Sequence, residues 1–557
     1  MRNFLLMVSV AFSIICAKAQ DADFETASEA VKNMKVGWNL GNTLDANNGA
    51  RMTDIVQSET YWGQPVTKPE LMTMMRNAGF NAIRVPVTWF PHMDNNGKVD
   101  AAWMNRVHEV VDYVINAGMY CILNVHHDTG DGSVHWLHAS SEVYNQQKAR
   151  YEYLWKQIAE EFKDYGNLLL FESYNEMLDK YNSWCFATYA RSSGYNESEA
   201  NDAYQAINSF AQSFVNVVRA TGGNNAKRNL VVNTYGACCG SGTWNSHLKD
   251  PLKQMNIPDD PAGTGHIAFE VHCYPNVKNL SSMRTEVDDM FNALKTHLIS
   301  KGAPVIIGEW GTANDKESDY DVRRENVLSF ADYFVKKAKE NNVATVYWMG
   351  LSDGPLRTLP AFNQPDLAES IVKAYYGDSY SPVLPSIDDY TIEYTVTYQQ
   401  QWSEMNLYGK AFSLNEYTGI VLDLKDSPGT DNLSIKVYGE SNGKEQYVNV
   451  TNTHTKVTFN ASALGNTGQR ITLQYKKSGN YTATVKRAAL IKKDGTEMPT
   501  EMSSFWGCTV NMNYTLGVPE VHFTQKTDDE IYTLSGMRVT DPGKGIYIRN
   551  GKKYVVR

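Results

Sequence analysis

The stretch LLLFESYNEM, residues 168–177, places two glutamates at the end of a run that has the character of a buried strand. Leu168 to Phe171 are apolar without interruption, as in an interior strand of a parallel sheet. Glu172 and Glu176 follow, although a buried carboxylate costs free energy unless it is paired or hydrogen-bonded. The sequence therefore predicts that these carboxylates are ion-paired or take part in chemistry.

Seven further runs repeat this pattern. Each begins with apolar, β-rich residues and ends in groups that hydrogen-bond or ionise, and amphipathic helical periods separate most of them. The other runs are residues 33–42, 81–89, 120–128, 229–236, 266–275, 304–311 and 344–350, and the clearest helical periods are 68–80, 101–118, 153–162 and 325–340. Eight strand–helix alternations predict a (β/α)8 barrel, here residues 20–378, with its functional groups at the carboxyl ends of the strands.

The character of the sequence changes after the barrel. Residues 379–389 form a Pro/Ser-rich linker, and residues 390–515 alternate in the manner of a β-sandwich. Trp402, Tyr408, Tyr417, Tyr438 and Trp506 lie in this second region, which is either a carbohydrate-binding domain or a structural spacer. Residues 516–557 form a small β-rich tail that resembles bacterial C-terminal sorting modules, which direct secretion across an outer membrane.

Residues 1–19 have the features of a secretory signal peptide. Arg2 precedes an apolar run from Phe4 to Ile15, and Ala17-Lys18-Ala19 supplies a small-residue cleavage site. Its removal would leave 50 basic and 62 acidic side chains, a net charge of −12. This charge argues against nucleic acid and anionic membranes and fits a neutral substrate. We expect a secreted or cell-surface monomer that does not insert into a membrane.

Two carboxylates are candidates for the chemistry. Glu176 ends the fourth run and Glu309 the seventh, and these strands face each other across the mouth of a closed eight-stranded barrel. Their carboxyl groups can then approach to about 5–5.5 Å, the separation found in retaining glycosidases. Glu172 competes with Glu176, but it lies four residues deeper, and we interpret it as a structural partner of Arg84.

Other strand-end residues supply the surroundings of this pair. Arg84 can hold Glu309 ionised, and His272 and Tyr274 share one face of the sixth run. Asn175 is placed to bind a sugar 2-hydroxyl. The remaining candidates are Asn42 and His126 as polar groups, Trp348 as a floor for a sugar ring, and Trp136 with four other tryptophans as either subsite platforms or packing residues.

The sequence His126-His127-Asp128 raises the alternative of a metal site. Adjacent residues of a strand point to opposite faces, so we expect that both histidines cannot easily bind one ion. Neither a metal nor any other cofactor is predicted. The six cysteines after residue 19 show no C-x-x-C spacing and indicate neither a zinc site nor a disulfide scaffold.

Seven motifs in order resemble glycoside hydrolase family 5, the cellulase family. They are GWNLGNTLDA (37–46), NAIRVPVTW (81–89), LNVHHD (123–128), NE (175–176), HCY (272–274), GEWG (308–311) and YW (347–348). Residues 62–93 are similar in detail to its endo-β-1,4-glucanase branches. The resemblance spans about residues 34–376 and implies a TIM barrel.

The resemblance also implies roles for individual residues. Glu176 would be the acid/base and Glu309 the nucleophile, supported by Arg84, His126, Asn175, His272, Tyr274 and Trp348. Met177 departs from the family, which usually has proline after Asn-Glu, so the loop 177–195 leaves substrate preference open.

The expected function is retaining endo-cleavage of β-1,4-glucosidic bonds in cellulose-like or mixed-linkage β-glucans. A xyloglucanase or β-mannanase of the same fold remains an alternative, because loops choose the sugar. A non-catalytic glycan-binding protein and a metal-dependent hydrolase are alternatives of other classes.

Overall fold

The computed structural model describes residues 24–275, 277, 279–311, 320–348, 350–500 and 502–516, together with four short strands after residue 530. The predicted signal peptide and much of the predicted tail lie outside the described residues. The chain divides into two compact units, one ending at Ile387 and the other beginning at Asp388. None of the helices in the described ranges has the length and apolar character needed to cross a bilayer.

Eight parallel strands close into a barrel in chain order, with the last strand pairing back to the first. They are β1 (Val36–Asn39), β2 (Ala82–Val85), β3 (Tyr120–Asn124), β4 (Leu169–Glu172), β5 (Leu230–Cys238), β6 (Ile267–Cys273), β7 (Val305–Trp310) and β8 (Ala344–Tyr347). Each strand overlaps one of the eight predicted runs, so the predicted (β/α)8 barrel is confirmed.

Helices lie between the strands and around the barrel. They are α1 (Ala27–Met34), α2 (Ile55–Thr60), α3 (Pro69–Ala78), α4 (Ala101–Asn116), α5 (Ser141–Glu161), α6 (Glu197–Ala220), α7 (Asp250–Gln254), α8 (Leu280–His297), α9 (Tyr320–Glu340), α10 (Pro355–Thr358) and α11 (Pro365–Tyr376), with 3-10 turns at Phe90–His92, Gly223–Ala226, Ser246–Lys249, Ile299–Lys301 and Ile387–Asp389.

The sequence explains where these helices begin and end. Pro69 starts α3, and Gly79 ends it with φ of 112°, a conformation that suits glycine. Asp100 caps α4 by accepting a hydrogen bond from the backbone of Ala102 at 2.8 Å. Helix α5 begins well before its predicted period. The sequence pattern missed its first turns because they are polar and partly exposed, and the continuous buried stripe starts only at Tyr151.

The barrel interior has an apolar layer and a polar layer. Side chains such as Ile122, Leu170 and Ile306 fill the lower part, where α1 closes the amino-terminal end with Val31 and Met34. The upper part is polar because each strand ends in polar residues and these residues lie at matching heights in neighbouring strands. The register pairs Asn39 with Arg84, Asn124 with Glu172, and His272 with Glu309.

The second unit is a β-sandwich, as predicted. One sheet has the order β14-β13-β17-β10-β20 and the other β15-β12-β18-β9-β21, with β19 beside β18. Side chains from both sheets, including Leu473 and Ile420, share one apolar core. The strands are β9 (Tyr390–Tyr398), β10 (Glu404–Tyr408), β11 (Phe412–Ser413), β12 (Tyr417–Leu424), β13 (Leu433–Tyr438), β14 (Glu445–Val450), β15 (His454–Thr458), β16 (Thr467–Gly468), β17 (Arg470–Tyr475), β18 (Tyr481–Lys492), β19 (Glu497–Pro499), β20 (Ser503–Trp506) and β21 (Cys508–Leu516), with a short helix α12 (Ala461–Leu464).

The described part of the tail is a small antiparallel sheet. It contains β22 (Ile531–Thr533), β23 (Arg538–Val539), β24 (Gly545–Arg549) and β25 (Lys552–Val556), in the order β23-β22-β24-β25. The β-rich character predicted for this segment is therefore present, and its resemblance to a sorting module stays a prediction.

Candidate active site

Glu176 and Glu309 meet at the carboxyl-terminal mouth of the barrel. One carboxylate oxygen of each lies within 4.8 Å of the other and of a ring nitrogen of His272. The Glu309 side chain is 6% exposed, whereas that of Glu176 is 20% exposed and borders the cleft. The predicted approach of two opposed strand ends is therefore present, at a distance that fits two carboxylates acting on one bond.

The Arg84 guanidinium connects this pair to the barrel interior. Its Nη1 donates to Glu309 at 2.8 Å, and its Nε and Nη2 donate to the two oxygens of Glu172 at 2.7 and 2.8 Å. Nη2 also donates to the Asn175 side-chain oxygen at 2.6 Å, and Nη1 to that of Asn39 at 3.0 Å. Arg84 is completely buried, so its charge-assisted bonds act with little screening.

Glu172 is a structural partner of Arg84, as the sequence indicated. Burial alone would raise its pKa, but the charge and hydrogen bonds of Arg84 outweigh burial and lower the pKa below the ordinary value. The Asn124 side chain donates a further hydrogen bond to Glu172 at 3.0 Å. Glu172 is therefore an ionised anchor beneath Asn175 and Glu176, and it does not reach the cleft.

Two donors fix the orientation of Glu309. Arg84 binds one oxygen, and the hydroxyl of Tyr274 donates to the other at 2.7 Å. Burial raises the pKa of Glu309 above its ordinary value, while the positive charges of His272 and Arg84 oppose the rise. The carboxylate is thus held in one orientation in a place with little water, and its charge is balanced by fixed cations.

His272 lies between the two carboxylates. Its Nδ1 is 2.7 Å from Glu176 and 3.6 Å from Glu309. Burial favours the neutral ring, but the charges of Glu309 and Glu176 outweigh burial and raise the pKa of His272 to about 10. A protonated His272 therefore compensates the negative charge of the pair at neutral pH.

Glu270 is a buried carboxyl group that the sequence interpretation missed. It lies 3.2 Å from Arg84 Nε and 3.4 Å from His272 Nε2. Burial and the charge of Glu172 raise the pKa of Glu270 to about 8, so it carries a proton at neutral pH. The signal was its spacing, because residues 270, 272 and 274 alternate along one strand face. Asn39, which binds Arg84, was missed as well.

His126 and Trp348 form one wall of the site. Their rings stack at 5.7 Å with an angle of 5° between planes, and His126 Nε2 lies 3.9 Å from Glu309. Burial, together with the charges of His127 and Arg84, lowers the pKa of His126 well below its ordinary value, so the ring is neutral. Gly41 permits this arrangement, since a Cβ there would approach the Trp348 ring to 3.0 Å.

Two predicted binding residues lie in supporting positions. Trp136 is buried and donates its indole N–H to Asp128 at 2.6 Å, while the Arg150 guanidinium lies over its other ring surface at 4.7 Å. It therefore packs a loop and offers no open platform. Asn42 is half-buried with φ of 59°, and among the asparagines of this segment it is Asn39 whose side-chain oxygen accepts a hydrogen bond from Arg84.

An open cleft of about 460 Å³ leads to the carboxylates. Tyr61 and Trp62 line it from the segment after α2, and Trp184 lines it from the loop after β4; these rings are 49%, 38% and 40% exposed. Exposed aromatic rings at such positions suit stacking on sugar rings. Met177, which replaces the family's usual proline, is completely buried.

Two residue groups in the described part of the chain have a geometry that could hold a metal ion. They are Asp45 with His126 and His127, and Glu176 with His272 and Glu309. The expectation that His126 and His127 point to opposite faces was wrong, because β3 ends at Asn124 and both histidines follow it. In the second group His272 Nδ1 already binds Glu176 at 2.7 Å. In the first, His127 Nε2 and Asp45 Oδ2 lie 3.5 Å apart, and neither atom has a hydrogen-bond partner among the described residues.

This fold and site define a class of protein: an eight-stranded barrel with paired carboxylates beneath an open aromatic cleft has the design of a retaining glycoside hydrolase. The sequence profile of the cellulase family, glycosyl hydrolase family 5, matches residues 45–353, more than half of the chain. The chain belongs to glycosyl hydrolase family 5, and the resemblance seen in its motifs is confirmed.

Curated relatives are endoglucanases. The chain is 35% identical over 340 residues to endoglucanase B of Neocallimastix patriciarum, a match that covers 58% of this chain and 64% of that protein. It is 33% identical over 325 residues to endoglucanase A of Ruminococcus albus, covering 55% of this chain and 80% of the relative. The chain thus spans slightly less than two thirds of the Neocallimastix relative.

Solved structures match the barrel over nearly their whole length. A broad-specificity endoglucanase from an uncultured bacterium is 61% identical, with a TM-score of 0.62, and the match covers 64% of this chain and 96% of that one. A family 5 enzyme of Prevotella bryantii B14, solved with a xyloglucan tetradecasaccharide, is 40% identical with a TM-score of 0.57, covering 63% and 99%.

Proposed function

We propose that this protein is a retaining, endo-acting glycoside hydrolase that cleaves β-1,4-glucosidic bonds in cellulose-like and mixed-linkage β-glucans. The observation that carries the proposal is the approach of Glu176 and Glu309 to within 4.8 Å beneath the cleft. Inverting enzymes separate their carboxyl groups by about 6.5–9.5 Å to admit a water molecule, so the closer spacing supports double displacement.

In the first step, Glu309 attacks the anomeric carbon and forms a glycosyl ester. Arg84 and Tyr274 hold its two oxygens, so the attacking lone pair points in one direction. Glu176 gives its proton to the departing glycosidic oxygen. Asn175, fixed by Arg84, is placed to bind the 2-hydroxyl as the sugar gains oxocarbenium character.

In the second step, Glu176 takes a proton from water, and that water attacks the anomeric carbon of the ester. Glu176 suits the role that exchanges protons because it is the more exposed carboxyl group of the pair. The ester bond to Glu309 breaks, and the negative charge returns from Glu176 to Glu309. The cationic His272 stabilises this charge at either residue, since its Nδ1 lies within 3.6 Å of both. The two inversions retain the β configuration.

Names of relatives support the choice of substrate. Curated relatives are called endoglucanases, and the 61% identical structure is described as a broad-specificity endoglucanase. An open cleft lined by Tyr61, Trp62 and Trp184 as well as Glu176 suits binding in the middle of a chain. Xyloglucan is a second candidate, because the Prevotella bryantii enzyme was solved with a xyloglucan oligosaccharide.

The proposal includes export from the cell as a monomer without membrane insertion. The support is the sequence pattern of residues 1–19, the net negative charge and the tail's resemblance to sorting modules. No metal or other cofactor takes part in the proposed steps, so hydrolysis should continue at an unchanged rate in EDTA. Loss of activity in EDTA that zinc or calcium restores would contradict this part.

The central experiment compares Glu176→Gln and Glu309→Gln with the parent on mixed-linkage β-glucan. Each variant should lose at least about 10³-fold in kcat. The Glu176 variant alone should recover on a glucoside with an activated leaving group when azide is added, giving the β-glycosyl azide. Initial release of α-anomeric product by the parent, seen by proton NMR, would overturn the retaining mechanism.

Product sizing tests the mode of attack and the substrate. The parent is incubated with carboxymethylcellulose, mixed-linkage glucan, xyloglucan and mannan, and the products are separated by length. Oligosaccharides of mixed length and an early fall in viscosity are expected from the first two. Release of one short product from chain ends would contradict endo-cleavage, and faster turnover of xyloglucan or mannan would assign the protein to that alternative.

A further inference from the structure

The five-stranded sheet of the β-sandwich has one face in the core and one face directed away from it. Ile435, Val437, Ile471 and Leu473 point into the core. Because side chains alternate along a strand, their neighbours point outward. The register then sets the residues of this face side by side, in the rows Tyr447–Lys436–Thr472–Asn406 and Ser434–Gln474–Glu404–Trp506. Four residues in the middle of these rows are buried beneath their longer neighbours: Thr472, Ser434, Gln474 and Glu404. We call this surface the outer face.

Aromatic rings lie at both edges of the outer face. Tyr447, on edge strand β14, is 52% exposed, and Phe505 and Trp506, on the opposite edge strand β20, are 45% and 49% exposed. These are among the most exposed large side chains of the unit. Four strand spacings separate the two edges, about 19 Å, which is a length that accommodates several linked sugar rings.

The charges in the middle of the outer face are paired within it. Lys436 lies 3.1 Å from Glu445, and its Nζ is 4.1 Å from the centroid of the Tyr438 ring. Glu404 accepts hydrogen bonds from the Tyr438 hydroxyl and from Gln474, both at 2.6 Å. Such a surface offers flat rings and hydrogen-bonding groups without a strong net charge, so it fits a neutral polar ligand better than an ionic one.

The central side chains are also held in place before any ligand arrives. Arg470 lies over the Phe505 ring at 4.0 Å, and Lys436 lies close to both Tyr438 and Tyr447. A surface whose side chains are already ordered loses less conformational entropy on binding. The side-chain amide of Asn406, between these groups, donates to the Ser503 hydroxyl at 3.1 Å.

A further exposed tryptophan, Trp402, lies in the turn that precedes β10, beside the end of β17. It is 50% exposed and has φ of 69°, a left-handed conformation that a bulky side chain rarely adopts. The adjacent strand-end residue Tyr475 accepts its backbone N–H at 2.7 Å. Glycine would satisfy this turn without strain, so a half-exposed tryptophan here indicates a use for the ring.

We propose that the outer face, between Tyr447 and Trp506, is a binding site for β-linked glucan chains, separate from the cleavage site. The choice of glucan as the occupant rests on the proposed function of the barrel, because the two units belong to one chain. Aromatic rings stack on the C–H faces of sugar rings. Of the polar groups between them, the half-buried Lys436 and Tyr438 are the ones a bound chain could reach. Binding there would keep the barrel at a high effective concentration near its polymer.

The structure also refines the aromatic set that the sequence offered. Tyr417 is 9% exposed and belongs to the sandwich core, and Tyr408 packs against that core. Tyr438 and Trp506 do lie on the outer face, joined by Tyr447 and Phe505, which the sequence interpretation did not single out. The alternative of a purely structural spacer is answered by the test that follows.

The test measures binding of the full chain to insoluble amorphous cellulose in a Glu309→Gln background, which prevents digestion. The Tyr447→Ala/Trp506→Ala variant should bind at least tenfold more weakly than this parent. Tyr153→Ala removes a similarly exposed tyrosine from α5, 41% exposed, and should leave binding unchanged. Because all three side chains are exposed, unfolding temperatures of the variants should match that of the parent.

The same variants made with Glu309 intact distinguish the outer-face proposal from the proposed activity of the barrel. With Glu309 intact, the double variant should hydrolyse soluble cello-oligosaccharides at the parent rate and release less sugar from insoluble cellulose. Unchanged cellulose binding by the double variant would overturn the proposal, whether or not the barrel is active. Unchanged binding with altered self-association in sedimentation would assign the outer face to a second copy of the chain. Weakened binding in a protein inactive on every β-glucan would uphold the outer face and refute the barrel proposal.

Discussion

Arg84 binds Glu309 and Glu172 at the same time, with Nη1 at 2.8 Å from the first carboxylate and Nε at 2.7 Å from the second. A lysine has a single ammonium group and cannot reproduce this planar, forked geometry. We therefore expect Arg84→Lys to lower kcat on mixed-linkage glucan by about 10²-fold or more, with a smaller change in KM, because misplacing a reacting group by about 1 Å has that effect.

Arg106→Lys is the matched control for this prediction. Arg106 also binds a carboxylate through two nitrogens, with Nε and Nη2 at 2.8 and 3.0 Å from Glu59, but it lies on α4 outside the cleft. Its replacement should alter stability and leave kcat unchanged. An Arg84→Lys enzyme with more than half of the parent kcat would show that the forked contact is dispensable.

Glu172 and Glu270 are buried neighbours of Arg84 that should respond differently to the same change. Glutamine resembles a protonated glutamate, and Glu270 carries its proton at neutral pH. Glu270→Gln should therefore keep activity within about fivefold of the parent, since neither charge nor volume changes much. Glu172→Gln removes a charge that compensates Arg84 and should cost about 3 kcal/mol of unfolding free energy.

Urea unfolding and initial rates at pH 7 measure this contrast. The informative quantities are the differences in unfolding free energy and in rate between the two variants, because both replace a carboxyl group beside Arg84 with an amide. If Glu270→Gln proved the more damaging of the two, Glu270 would be the ionised partner of Arg84 and the order of their pKa values would be reversed.

Much of the site was predictable because the barrel places strand ends together. Each of five site residues ends or follows an apolar run: Glu176, Glu309, Arg84, His272 and Tyr274. Chain order alone sets strands four and seven three positions apart around the mouth. This information is local, so periodicity and residue type recover it. The distances between these side chains depend on closure of the barrel, which no short stretch of sequence specifies.

The missed or misplaced residues depend on contacts that the periodicity and residue types of a short stretch do not specify. Trp136 packs a loop because Asp128 accepts its indole N–H, a relation that composition does not reveal. The placement of His126 and His127 failed because the end of β3 is set by its hydrogen bonds with β2 and β4. Such end points are the least predictable features of a strand.

Glu270 and His272 should each make the barrel less stable as pH rises, because both side chains hold a proton longer in the folded state than in the unfolded chain. The pKa of Glu270 is about 8 when folded, against an ordinary value of 4.5, and that of His272 is about 10 against 6.5. Between the ordinary and the folded pKa of each group, the unfolded chain binds fewer protons than the folded one. The free energy of unfolding therefore decreases with pH in that range, by at most about 1.4 kcal/mol per pH unit for each group.

The two windows overlap only partly, which allows the groups to be separated. Of these two groups only Glu270 acts between pH 4.5 and 6.5, where Glu309, with its raised pKa, adds to its effect and His126, with its lowered pKa, opposes it. The difference between the parent and Glu270→Gln isolates Glu270, and the variant should lose stability less steeply with pH than the parent. The stabilising contribution of His272 is complete below pH 6.5 and is lost as pH rises towards 10. Urea unfolding at pH 5, 6.5, 8 and 9.5 measures both effects. An identical pH slope in parent and Glu270→Gln would contradict the raised pKa of Glu270.

Gly308 makes room for the Glu270 carboxyl group, and this close approach gives the final prediction. A Cβ on residue 308 would lie 1.4 Å from a Glu270 oxygen, and Asn39 donates to the Gly308 carbonyl at 2.8 Å. Gly308→Ala should therefore displace the carboxyl group beside Arg84 and lower activity by at least about 10²-fold, or prevent folding. Gly166→Ala, which adds a methyl group where no atom lies within 4 Å, should change neither property.

A second change distinguishes crowding from a general intolerance of alanine, because Glu270→Ala in the Gly308→Ala protein removes the clashing atoms. The double variant should recover soluble yield and unfolding temperature relative to Gly308→Ala alone, and equal damage in both would mean that the clash with Glu270 is not the cause.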